Sequence, residues 1–195
     1  MIEHLDKALA QGMDYESYRL KVETLFNEGK TTNDDNRESM LHYTKLNMQR
    51  MNKWDKIAKL SEASIDQMQS ISNPETWIVL TEGWCGDAAH ALPILHKLSE
   101  ASKKVEVKYI LRDEHPELMD QFLTNGGRSI PKVIRLDAIT NEVLTTWGPR
   151  PTAIQNRIME NKNSSNPIPY PELSMETQKW YAKDKGKTIQ LEFLL

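Results

Sequence analysis

The chain reads as an α/β protein: a mixed sheet with helices on both faces, added N-terminal helices, and a C-terminal helix and tail. Three observations predict this. The apolar runs fall in the order βαβ and then ββα. A helical pattern joins the first two strand runs, which argues a parallel pair. A short turn joins the last two, which argues a hairpin.

The first seventy or so residues have helical spacing. Asp14 is placed to cap a helix carrying Tyr15, Tyr18, Val22, Leu25 and Phe26, and Gly29 is a stop signal. Thr31 to Asn36 is polar and turn-prone. A longer helix from about Arg37 puts Leu41, Thr44, Met48, Met51, Trp54 and Ala58 on one face. That stripe suits core packing better than a partner groove. Ser61 to Ile71 reads as a further short helix, and Asn73-Pro74 breaks the pattern.

Trp77-Ile78-Val79-Leu80 is then a strand, followed by Gly83-Trp84-Cys85-Gly86-Asp87 and a helix to about Ala101. Val105 to Leu111 is a second strand. His115 to Thr124 suits a short helix with Pro116 in its first turn. Asn125-Gly126-Gly127 is a loop. Val133 to Leu136 and Val143 to Thr146 are the third and fourth strands, and Gly148-Pro149 ends the last one. Thr152 to Asn161 is a helix. Asn161 to Pro171 reads as an extended linker, and Glu172 to Lys185 as a last helix anchored by Trp180-Tyr181. The tail Ile189–Phe193 alternates with period two, which leaves open an edge strand, docking on a neighbour, or fraying. The organisation expected is a helical N-terminal extension over 1–73, an α/β core over 74–161, and a linker, helix and tail over 162–195.

Of the 195 residues, 38% are hydrophobic and 27% charged, the balance of a globular chain. The formal net charge of −3 gives no drive toward nucleic acid or an anionic membrane. Met1–Lys7 does not fit a signal peptide, and no run approaches the roughly 20 apolar residues of a membrane span. A cytoplasmic location is the expectation. One cysteine excludes an internal disulfide. No His/Cys/Asp/Glu group has ligand spacing, so no metal is expected, and no phosphate loop, dinucleotide fingerprint or Gly-x-Ser-x-Gly elbow argues for another cofactor.

The chemistry centres on Cys85. It lies where a strand ends and a helix begins, and the unpaired N–H groups of a helix start favour a thiolate. Asp87 opposes this with its own charge. The balance predicts a moderately lowered Cys85 pKa. Asp87 also suits an N-terminal cap. His90, about a turn and a half on, points away from Cys85, and His96 and His115 suit surface or cap positions.

Gly83-Trp84-Cys85-Gly86-Asp87-Ala88 resembles the active-site motif of the thioredoxin family, tryptophan followed by Cys-x-x-Cys. Pro93 matches the family's kink proline, Ile130-Pro131 its cis-proline, and Gly148 a further family glycine. The resemblance covers about Thr76 to Asn161. It implies a thioredoxin-like fold and a substrate groove beside Cys85 that includes Trp84, Gly86, Asp87, Ile130 and Pro131. The flanking helices and the Trp-Cys-Gly-Asp start suggest a subgroup with a helical N-terminal extension. Arg128, just before that proline loop, either reaches toward Cys85 or is a solvated loop arginine.

The sequence departs from the family at two places. Ala88 stands where the resolving cysteine belongs, and Val79 where thioredoxins carry a buried acid. A dithiol cycle needs both thiols, so release of a mixed disulfide at Cys85 would need an external thiol. The reading is a monothiol disulfide-exchange protein acting on a disulfide-bearing or glutathionylated protein or a low-molecular-weight thiol. The alternative is a redox-inactive thioredoxin-fold module that binds protein. Oligomeric state is not legible.

Overall fold

The structure is a computed structural model that describes residues 2–194; Met1 and Leu195, the ends of the predicted terminal segments, lie outside the described residues. Four helices precede the sheet: α1 (Leu5–Gln11), α2 (Tyr15–Asn27), α3 (Glu38–Ile57) and α4 (Glu62–Gln69). Asp14 caps α2 by accepting from the Ser17 N–H at 2.7 Å. On α3, Thr44, Asn47, Met51 and Trp54 recur at helical spacing and are buried, and α3 packs along the helix that carries the active-site motif. The Met and Trp stripe is therefore core.

The sheet among the described residues has four strands: β1 (Glu75–Thr81), β2 (Val105–Leu111), β3 (Lys132–Asp137) and β4 (Val143–Trp147). Their order is β2-β1-β3-β4. The β1–β2 pair is parallel and the β3–β4 pair antiparallel, as the connections predict, and β3 also runs antiparallel to β1. All seven residues of β1 are buried, so both of its faces are covered. The edge strand β4 is exposed except at Trp147.

Helix α5 (Gly86–Glu100) links β1 to β2 and buries ten of its fifteen residues. After β2, a 3-10 turn (Arg112–Glu114) leads into α6 (Pro116–Met119), shorter than the periodicity predicts. His115 stands at its N-cap yet is buried, and His96 stacks on Tyr15 with ring centroids 4.3 Å apart.

Beyond the sheet lie α7 (Thr152–Asn163), α8 (Tyr170–Asp184) and α9 (Lys187–Phe193). The linker is shorter than expected. Asn161 pins it by accepting from the Ile168 N–H at 2.9 Å and donating to the Ile168 carbonyl at 3.2 Å. The tail is a helix, not a strand. Lys185 and Gly186 both take left-handed backbone, which ends α8 and turns the chain back. Ile189, Gln190 and Phe193 then face inward at helical spacing, and Phe193 packs edge-on against Trp77 and Trp147.

Candidate active site

Cys85 is the N-cap of α5. The residue is 8% exposed, and its thiol donates to the Ile130 carbonyl at 3.2 Å. The Ile130–Pro131 bond is cis, as the resemblance implies. The loop before β3 is thus laid directly over the helix start, 45 residues away in sequence. A second cis bond, Gly148–Pro149, was not foreseen. Gly148 is where the end of β4 meets that loop. It has φ +107°, and a Cβ there would lie 2.1 Å from the Pro131 carbonyl oxygen.

The structure corrects two expectations about charge. Burial first, and the Asp87 charge second, push the Cys85 pKa up to about 12. The N–H groups of Ala88 and Asp87 and the nearby Arg150 favour the thiolate, but they do not outweigh a desolvated site. Asp87 does not cap the helix. Its carboxylate accepts from Arg150 Nε at 2.9 Å and from the Tyr181 hydroxyl at 2.7 Å, which ties the start of α5 to α8.

Trp84, Cys85, Gly86, Asp87, Arg128 and Ile130 all line one cavity of about 600 Å³, with Pro131 adjoining through Ile130. Arg128 does reach this cavity wall. Its guanidinium, however, makes a two-bond pair with Asp120, at 2.7 and 2.6 Å, and is half exposed. Tyr170, Leu173, Ser174, Thr177 and Gln178 of α8 form a further wall. That wall lies more than eighty residues from Cys85 in sequence, and no local signal announces it.

His90 takes no place in the cavity lining. The Trp54 indole donates to its Nδ1 at 2.8 Å. An indole N–H can only donate, so Nε2 carries the proton of the neutral ring and donates to Gln178 Oε1 at 2.6 Å. Its ring also stacks on Tyr181 at 4.2 Å. Burial lowers its pKa to about 4. The ring is a structural tie between α3, α5 and α8.

Val79 is buried and apolar, but an acid missed from the sequence lies three residues before the cysteine. Glu82 is 0% exposed. It accepts from the Thr32 hydroxyl and, at 3.0 Å, from the Asp113 N–H. Burial raises its pKa to about 7 against the lowering effect of those two bonds. Three cavity arginines also went unremarked: Arg50, Arg112 and Arg150.

The thioredoxin family matches residues 33–164. The chain belongs to the thioredoxin family. As a thioredoxin-family protein it keeps the Cys85–Ile130–cis-Pro131 geometry and fills the resolving position with Ala88, which is buried. Among solved structures it is similar to a protein of unknown function from Pseudomonas aeruginosa, at 16% identity and TM-score 0.56, covering 98% of both chains. It is also similar to an HIV epitope scaffold, at 18% identity and TM-score 0.54, covering 78% of this chain and 81% of that one. Both likenesses concern the fold alone. No curated protein matches the chain. No helix among the described residues is long and apolar enough to cross a membrane.

Proposed function

We propose that the protein carries out monothiol disulfide exchange at Cys85, with an external thiol completing each turnover. The observation that supports this reading is the placement of its one thiol at the N-terminus of α5, against the Ile130 carbonyl, opening on a cavity. The Cys85 thiolate attacks one sulfur of a substrate disulfide. A Cys85–substrate S–S bond forms, the substrate S–S bond breaks, and the leaving thiolate takes up the proton that Cys85 released. A second, external thiol then attacks the substrate sulfur of the mixed disulfide: a new S–S bond joins the two, the Cys85–substrate bond breaks, and Cys85 leaves as a thiolate that takes up the proton the external thiol lost. Trp84, Gly86, Asp87, Ile130 and Pro131 would border the bound sulfur, and the partner would be a glutathionylated or disulfide-bearing protein or a small disulfide.

The test is incubation with glutathione disulfide followed by intact-mass measurement. The expected result is one adduct, absent in Cys85→Ser and removed by added glutathione. A native protein that takes no adduct, while the unfolded chain does, contradicts the reading.

A second reading, a binding module without redox activity, draws on the buried and upward-shifted thiol. It predicts that Cys85→Ser leaves the captured partner set unchanged.

A further inference from the structure

Four guanidinium groups line the cavity beside Cys85: those of Arg50, Arg112, Arg128 and Arg150. Among the described residues one carboxylate, Asp87, lines it with them. The chain as a whole carries a net charge of −3, so the positive excess is local.

Three of the four arginines have acids of their own. Arg150 pairs with Asp87, Arg128 with Asp120, and Arg112 with Asp113, with distances of 2.7, 2.6 and 2.7 Å. Arg112 also lies over the Trp84 ring, 5.0 Å from its centroid. Arg50 differs. Its side chain donates to a neutral acceptor, Asn47 Oδ1, at 2.8 Å, and no ion pair joins it to a carboxylate among the described residues. Arg50 is half-buried, and burial pushes its pKa down. A guanidinium taken partly out of water without an anion is costly, and a carboxylate meeting it with two parallel bonds offsets that cost.

Position adds a second constraint. A Cβ built on Gly86 would lie 3.7 Å from Arg50 Nη1 and 3.5 Å from Gln178 Nε2. Both side chains therefore bring donors over the residue next to Cys85. A cavity of about 600 Å³ is the size of small-molecule sites.

We propose that this cavity binds a low-molecular-weight thiol or disulfide carrying two or more carboxylates, and that Arg50 takes one of those carboxylates. The proposal rests on the reading of Cys85 as an exchanging thiol and names the class of small molecule it exchanges with. An incoming anion would present its sulfur to Cys85 while its carboxylate closes on Arg50. Arg128, the cation the sequence singles out, is already satisfied by Asp120.

The test is calorimetric titration of the full chain with S-methylglutathione, which has the carboxylates but a blocked sulfur. The wild type should bind it. Arg50→Gln should weaken binding by about tenfold or more, the usual scale of a lost charge-assisted bond, while Arg50→Lys restores part of it. The diethyl ester of the same probe should bind neither protein. Thermal melts check that the variants fold. If Arg50→Gln melts early, the wild type's affinity should still fall steeply with added salt. Absence of wild-type binding overturns the proposal, as does binding by folded Arg50→Gln within about twofold of wild type or a salt-independent affinity. Failure of the exchange reading looks different: S-methylglutathione then binds through Arg50, yet glutathione disulfide leaves no adduct on Cys85. Conversely, an adduct that forms equally fast in Arg50→Gln keeps the exchange and overturns the anion site.

Discussion

Burial first, and Asp87 second, hold down the reactivity of Cys85. The Asp87 charge raises the Cys85 pKa, whereas Arg150 lowers it, and the two are held together at 2.7 Å. Asp87→Asn removes the opposing charge and leaves the arginine in place. The expected result is faster iodoacetamide alkylation of Cys85 at fixed pH, by roughly three- to tenfold, the equivalent of a pKa fall of about half to one unit. An unchanged or slower rate contradicts the account. Glu82 offers a second check. Its folded pKa of about 7 lies above the unfolded value of 4.5, so the folded state holds the extra proton between them. Stability from the protonated acid is fully present below the unfolded value and is lost as pH rises through the folded one, on the order of 3 kcal/mol in all. Relative to Glu82→Gln, the wild type should therefore become less stable from about pH 4.5 to 7 in urea unfolding. His90 tilts stability the other way, because its folded pKa is lowered to about 4. That contribution is common to both proteins and cancels in the difference. Cys85 was legible from the sequence as a strand-to-helix residue. Its burial was not, because burial depends on tertiary neighbours such as Ile130, 45 residues away.

At the scale of elements, the close fit between β4 and the loop before β3 carries the site. Gly148 has φ +107°, and any Cβ there would strike the Pro131 carbonyl. Gly148→Ala should destabilise the protein by about 2–4 kcal/mol, the size of combined backbone strain and overpacking. Chemical denaturation measures this, and a wild-type midpoint would show that the two segments are free to part. The strands and α5 were readable because burial on β1 and the apolar face of α5 follow from local pattern. Helix α9 was not readable. Ile189, Leu191 and Phe193 alternate as in a strand, yet Leu191 is 66% exposed while Ile189, Gln190 and Phe193 turn inward. The left-handed pair Lys185 and Gly186 decides the outcome, and what Phe193 docks against is Trp77, more than a hundred residues earlier. Asp87 misled for the same reason: a cap is a local option, and Arg150 and Tyr181 are better partners supplied by tertiary packing.

On the scale of the whole molecule, folding gathers Arg50, Arg112, Arg128 and Arg150 from a hundred-residue span of sequence onto one cavity beside a lone thiol. Composition alone conceals this, since the chain is acidic overall. The family resemblance located the thiol and the cis-proline, while Arg50 on α3, Arg112 in the 3-10 turn, Arg150 in the loop before α7 and the α8 wall emerged only from tertiary packing. The central claim is that Cys85, though buried, exchanges with a disulfide in that cavity. The most direct measurement is the rate of mixed-disulfide formation with glutathione disulfide between pH 6 and 10, in native and unfolded protein. With a thiol pKa of about 12, the native rate should keep rising through the whole range, by about tenfold per pH unit, without levelling off. A native protein that forms no adduct at any of these pH values, while its unfolded form reacts normally, would contradict the claim.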